Sequence, residues 1–75
     1  MRTTAAFSKA LFALRMRHAR EMNHISRKQL ATMIGKSEST IGRYENGIAL
    51  PNFGTCATIA RTLDVSIDWM IGLHD

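Results

Sequence analysis

Apolar residues recur at steps of three and four along most of the chain, which is the period of an amphipathic helix. No segment alternates between apolar and polar residues with period two, so we expect no sheet. Short polar breaks divide the pattern into five predicted helices. The pattern therefore predicts an all-α, compact five-helix bundle.

Capping residues predict the bounds of the second helix most clearly. Ser26 followed by Gln29 is a capping box, in which each side chain bonds the backbone amide of the other residue. The box predicts a helix at about Arg27 to Ile34. Gly35 is expected to end it, because glycine adopts the left-handed backbone of a helix terminus without steric cost.

The other bounds rest on single capping residues. Ser37 is expected to cap a third helix, Glu38 to Glu45, which follows the second after a tight turn. The first helix is expected to begin at about Thr4, with Thr3 or Thr4 as its cap, and to end at Met22 before Asn23-His24. The fourth helix is expected to begin at Pro51-Asn52, and its apolar positions are Phe53, Cys56, Ile59, Ala60 and Leu63. The fifth helix is expected to extend from Ser66, as its cap, to about Leu73. It is expected to bury Ile67, Met70 and Ile71 around Trp69.

The first helix has more apolar surface than one neighbour requires. One stripe contains Phe7, Leu11, Leu14, His18 and Met22, and another contains Phe12, Met16 and Ala19. Either one stripe meets helices two to four while the other meets helix five, or one stripe is a surface for a second protomer. The apolar loop Ile48-Ala49-Leu50 also has two possible roles: it packs under helix four, or it contacts a second protomer.

Composition limits the class of protein. A chain of 75 residues is expected to form one domain with one small core. Cys56 is the single cysteine and has no partner at metal-binding spacing, so we expect no disulfide, no metal and no cofactor, and a cytoplasmic location. No apolar run approaches the length of a membrane span. No spacing of Ser39 with a histidine assembles a nucleophile and base, so we expect no enzyme.

Charge is distributed unevenly along the chain. Residues 1–43 contain nine of the ten Lys and Arg against two Glu, whereas residues 44–75 contain one Arg against four acidic residues. Such a charge dipole favours a polyanionic partner, of which nucleic acid is the most common.

The motifs between Ile25 and Leu73 resemble the Cro/phage-repressor (Xre) family of helix-turn-helix domains without a gap. The motifs that carry the resemblance are Leu30-Ala31 with Ile34-Gly35, Ser37 with Ile41, Tyr44-Glu45-Asn46-Gly47, Pro51, and the closing segment Leu63 to Leu73. The resemblance implies a lambda-repressor-like DNA-binding fold, with a helix-turn-helix at about residues 27–45 and its second helix in the major groove. It also implies an ion pair between Arg20 and Glu45 as a structural brace.

The outer face of the third helix is predicted to read DNA bases. It presents Glu38, Ser39, Gly42 and Arg43, since Ile41 and Tyr44 face inward. Gly42 costs about 1 kcal/mol relative to Ala in a helix interior. We expect this cost to be offset by closer approach to a thymine methyl or a base edge. Arg43 is expected to bond guanine or to reach a phosphate instead, and Glu38 either accepts from cytosine or, near phosphates, repels them.

A second set of residues is expected to bind DNA phosphates. Its members lie at helix termini or carry positive charge: Arg27, Lys28, Lys36, Ser37, Thr40, Asn46 and Gly47. The resemblance implies a glutamine at the first position of helix two, where this chain has Arg27.

These observations predict a sequence-specific double-stranded DNA-binding regulator, a phage- or mobile-element-type repressor that binds an inverted-repeat operator as a homodimer. No small-molecule ligand and no membrane are expected. The alternative is an antitoxin or other partner-binding module of the same fold, with its protein partner on a free apolar stripe of helix one or on the Ile48–Leu50 loop. The sequence leaves open the operator, activation against repression, and whether the dimer surface is helix one, the Ile48–Leu50 loop or helix five.

Overall fold

A computed structural model of the protein describes residues 8–73. Five helices account for most of this region, and none of the described residues forms a strand. The helices are α1 Lys9–Met22, α2 Arg27–Ile34, α3 Glu38–Glu45, α4 Phe53–Thr62 and α5 Ile67–Met70. The all-α, five-helix prediction is confirmed. No helix in residues 8–73 is both long and apolar enough to cross a membrane.

Each helix begins at a polar residue whose side-chain oxygen accepts a bond from the amide three residues later. The five N-caps are Ser8, Ser26, Ser37, Asn52 and Ser66. The capping box at α2 is complete, because Gln29 also accepts the Ser26 amide at 2.6 Å. Four predicted helix starts are thus confirmed.

The predicted start of α1 at Thr4 is wrong. Ser8 itself has extended backbone, and its Oγ accepts from the Leu11 amide at 3.1 Å, so the helix begins at Lys9. Thr3, Thr4 and Phe7 lie outside the described residues, and so does His74.

Each helix is followed by a residue with left-handed backbone, and the amides of that residue and of the next one donate to carbonyls of the last turn. These residues are His24, Gly35, Gly47, Asp64 and Gly72. At α5 the amide of Leu73 donates to the Asp68 carbonyl at 2.8 Å. This termination at Gly72 ends α5 at Met70, so the predicted extension of the helix to Leu73 is wrong.

The core is contributed by all five helices. Its largest fully buried side chains are Phe12, Met16, Leu30, Ile41, Ile59, Leu63 and Met70. Burying a side chain of this size contributes about 1.5–3 kcal/mol. Helix α3 packs against α1 and α2, and α4 packs against α2 and α5. The core therefore lies behind α3 and leaves its opposite side to solvent.

Some of the apolar residues that were expected to be buried are exposed to solvent. Phe53 was expected on the inner stripe of α4, but it is 74% exposed, because it is the first residue of the helix and lies at the edge of the core. On α1, Phe12, Met16 and Ala19 are buried, whereas Leu14 and Met22 are each 66% exposed.

The other stripe of α1 meets α5 only in part. The Leu11 side chain lies against Gly72, and the rings of His18 and Trp69 are 6.5 Å apart.

The three residues of the Ile48–Leu50 loop differ in their burial. Ala49 and Leu50 pack against the core, while Ile48 is 56% exposed.

Candidate nucleic-acid interface

A short turn joins α2 to α3. It consists of Gly35, Lys36 and Ser37, and the Lys36 amide donates to the Ala31 carbonyl at 2.9 Å. Gly35 has a φ of 72°, which a side chain would strain. Leu30 and Ala31 of α2 and Ile41 and Tyr44 of α3 are buried, so the two helices share one part of the core. Two packed helices joined in this way have the arrangement of a helix-turn-helix.

A buried carboxylate connects α3 to two other helices. Glu45 has a fully buried side chain and accepts from Arg20 Nε at 2.6 Å and from Arg20 Nη2 at 3.0 Å. The hydrogen bond to Glu45 raises the pKa of Arg20 above its usual value. The geometry has the two-bond form expected of the brace between α1 and the end of α3.

Arg27 is a third member of this ion-pair group, which the sequence did not predict. Its Nε donates to Glu45 Oε1 at 3.0 Å, and its side chain is 35% exposed. Arg27 was expected only as a phosphate ligand. Its role as a partner of Glu45 follows from the distance between two helices, for which the sequence carries no specific signal.

The guanidinium of Arg27 also lies beside Gly42. A Cβ atom built on Gly42 would be 3.5 Å from Arg27 Nη1, an ordinary contact distance. The space above Gly42 is therefore bordered by a charged group of α2. An alanine at this position fits sterically, so crowding inside the protein does not account for the glycine.

The four predicted base-reading residues are accessible on α3. Glu38, Ser39 and Arg43 are exposed and Gly42 is partly exposed, while Ile41 and Tyr44 are buried. The structure thus brings together a carboxylate, a hydroxyl, a guanidinium and a bare stretch of helix backbone. These groups provide donors, acceptors and a place of close approach.

The predicted phosphate ligands at the amino ends are also grouped. Ser37 Oγ accepts from the Thr40 amide at 3.1 Å and lies 2.9 Å from Thr40 Oγ1. Lys28 and Lys36 are exposed on the first turn of α2 and on the turn before α3. Helix amino termini and lysine side chains both favour an anion.

The carboxyl end of α3 differs from this expectation. Asn46 and Gly47 were expected to offer backbone amides to a phosphate, but both amides donate within the chain, to Gly42 and Tyr44 carbonyls. The Asn46 side chain is exposed. A phosphate at this end therefore has side chains and not these two amides as its donors.

Together the packing of α2 on α3, the ion-paired Glu45 and the exposed polar side of α3 define the class of helix-turn-helix DNA-binding domains. The model of the helix-turn-helix family matches residues 16–70. The chain belongs to this family, in its Cro/C1 type, whose members are DNA-binding transcription regulators.

Similar proteins agree with this membership. The uncharacterized HTH-type transcriptional regulator YobD of Bacillus subtilis (strain 168) is 34% identical over 65 residues, 87% of this chain and 58% of the relative. The chain thus spans little more than half of that relative's length. The crystal structure of the P22 c2 repressor in complex with synthetic operator 9T has a TM-score of 0.78 at 26% identity, covering 81% of this chain and 92% of that chain.

The fold also occurs as a part of larger proteins. A hydroxypropylphosphonic acid epoxidase from S. wedmorenis has a TM-score of 0.80 over 89% of this chain and 36% of that chain. At 24% identity this similarity shows the fold alone.

Proposed function

We propose that residues 1–75 are a single domain that binds specific sequences of double-stranded DNA and regulates transcription by occupying them. The observation that carries the proposal is the exposed side of α3. Glu38, Ser39 and Arg43 are exposed and Gly42 is partly exposed on a helix whose last residue, Glu45, is ion-paired to Arg20. In this account Arg43 bonds a guanine edge, Glu38 accepts from a cytosine, and Ser39 and the backbone at Gly42 contact the neighbouring base pair.

Phosphate contacts would fix the position of α3 in the groove. Arg27 and Lys28 would bind one strand from the start of α2, and Lys36, Ser37 and Thr40 would bind from the start of α3. Asn46, through its side chain, would contact the other side of the groove, beside Gly47. These contacts supply affinity that depends on salt but not on base sequence.

The bound state would be a homodimer on an inverted repeat. An eight-residue reading helix contacts few base pairs, and two-fold pairing doubles the sequence that is read. The P22 c2 repressor is solved with a synthetic operator. By analogy, a phage- or mobile-element-type repressor that blocks a promoter is the function that we propose for this chain.

One observation favours a second candidate function. Leu14 and Met22, two members of one predicted apolar stripe of α1, are each 66% exposed, and an apolar stripe that stays exposed on a helix is a surface for a protein partner. The chain would then be an antitoxin or another partner-binding module. A gene for a toxin-sized protein beside this one, and a stable complex of the two proteins that Leu14→Ser disrupts, would support this candidate.

Selection of duplexes from a random DNA library, at near-physiological salt and followed by sequencing, tests the proposed function. An enriched inverted repeat is the expected result, and its half-site spacing would be about one helical turn. A pool with no enriched sequence would contradict specific recognition. Enrichment of a single half-site would contradict the dimer alone.

A further inference from the structure

The turn and loop that follow α3 lack the positively charged donors found at the amino end of the helix-turn-helix. This turn and loop, residues 46–50, contain no charged side chain. The amides of residues 46–49 all donate to carbonyls of α3. If α3 lies in a major groove, however, its carboxyl end comes close to a phosphate strand. The helix has eight residues, or about 12 Å, which is about the width of the groove.

Helix α1 provides positive charge at this place. A cleft of about 500 Å³ separates its first two turns from the end of α3, and Lys9, Leu14, Arg17, Asn46 and Gly47 are among the residues that line it. A Cβ atom at Gly47 would be 4.0 Å from the Lys9 carbonyl oxygen, so the first residue of α1 lies against the turn.

The charges of the cleft are not neutralised by its own carboxylate. Glu45 is also at the cleft, but its fully buried side chain is bonded by Arg20 and Arg27. Arg17 pairs with Glu21 at 3.3 Å, and this pair is exposed. Within residues 8–73, Lys9 forms no ion pair, and its side chain is exposed. The cleft is therefore an anion-attracting surface with Lys9 at its edge.

We propose that this cleft binds a backbone phosphate of DNA, with Lys9 as the principal ligand and Arg17 and the Asn46 side chain beside it. The inference rests on the proposed function, because the partner is the same duplex. It adds a site on α1 that no helix-turn-helix residue supplies. The duplex would be held at both ends of α3, by α2 at one end and by α1 at the other.

The salt dependence of DNA binding tests this site. The affinity of wild type, Lys9→Gln and Arg61→Gln for one fixed duplex is measured by fluorescence anisotropy between 50 and 200 mM KCl. Arg61 is the matched control, since it is exposed on the last turn of α4 and also carries one positive charge. We expect the log–log slope to fall by about 0.9 for Lys9→Gln, the value for one lost phosphate contact, and to stay at the wild-type value for Arg61→Gln.

Ethylation interference on the same duplex locates the contact. A phosphate whose ethylation weakens wild-type binding should no longer matter to Lys9→Gln. Circular dichroism confirms that the variants are folded. Equal slopes for Lys9→Gln and Arg61→Gln, or equal interference patterns for wild type and Lys9→Gln, would overturn the site while the proposed function stands. Absence of salt-dependent binding by the wild-type protein would overturn both.

Discussion

Arg27 Nε lies 3.0 Å from Glu45 Oε1, so the residue that begins α2 is tied to the residue that ends α3. Arg20 of α1 donates to both Glu45 oxygens. One buried carboxylate therefore fixes three helices relative to each other. In a helix-turn-helix, the angle between these helices decides how the reading helix enters the groove.

The first prediction concerns stability. Glu45→Gln removes the charge that two arginines share, and we expect a loss of about 3–5 kcal/mol in the free energy of unfolding, the cost of breaking a buried ion pair. Urea denaturation measures it. Glu21→Gln is the control, because the Arg17–Glu21 pair is exposed and its loss should cost less than about 1 kcal/mol. Equal losses in the two variants would show that the buried group is not a brace.

The second prediction separates stability from DNA binding at Gly42. Gly42→Ala should raise the free energy of unfolding by up to about 1 kcal/mol, because alanine favours helix and the new Cβ has room. We expect it to weaken specific DNA binding, since the added methyl keeps the backbone from the base edge. Gly54→Ala in α4, where the Cβ is also uncrowded, should stabilise without affecting binding. Unchanged binding by Gly42→Ala would exclude close approach of α3 to DNA at this residue.

The third prediction compares two adjacent cations. Arg27→Gln should lower both the free energy of unfolding, by about 1 kcal/mol, and the affinity for DNA, because Arg27 bonds Glu45 and is also proposed as a phosphate ligand. Lys28→Gln should lower only the affinity, since Lys28 is exposed. Denaturation and anisotropy measured on the same samples separate the two effects. If Lys28→Gln unfolds as readily as Arg27→Gln, the ion pair of Arg27 does not contribute to stability.

The fourth prediction uses Cys56, which is 3% exposed and whose pKa is raised above the ordinary value of 9.0 by burial. In the native protein its thiol should react with a disulfide reagent orders of magnitude more slowly than in the unfolded protein. The free energy of unfolding should fall as pH rises above 9.0, because the unfolded thiol ionises there while the native thiol remains protonated. Cys56→Ala removes this part of the pH dependence. If Cys56 of the folded protein reacted with the disulfide reagent as fast as in the unfolded protein, its thiol would not be buried.

Local sequence signals predicted α2 and α3 well. The capping box at Ser26 and the single hydroxyl at Ser37 act within one helical turn, so their residue types carry the information. The start of α1 was missed because Thr3, Thr4 and Ser8 are all residue types that favour the N-cap, so residue type alone does not choose among them. The exposure of Phe53 was missed for a related reason. Helical spacing gives a face, but the edge of the core depends on where α4 lies.

The candidate site was predicted in part. Residues that face outward from α3 follow from the inward positions of Ile41 and Tyr44, because a helix has one periodicity. The link from Arg27 to Glu45 joins residues 18 positions apart, and the cleft at Lys9 joins α1 to the end of α3. Sequence spacing carries no information on such contacts between elements.

Whether α3 reads DNA bases is tested by comparing the duplexes that Arg43→Ala, Lys28→Ala and the wild-type protein select from a random library. If α3 reads bases, Arg43→Ala should lose preference at one base pair of each half-site and keep the others. Lys28→Ala should select the same consensus sequence as wild type but bind every duplex with lower affinity. An Arg43→Ala consensus that is identical to wild type would contradict the claim that the exposed side of α3 reads DNA.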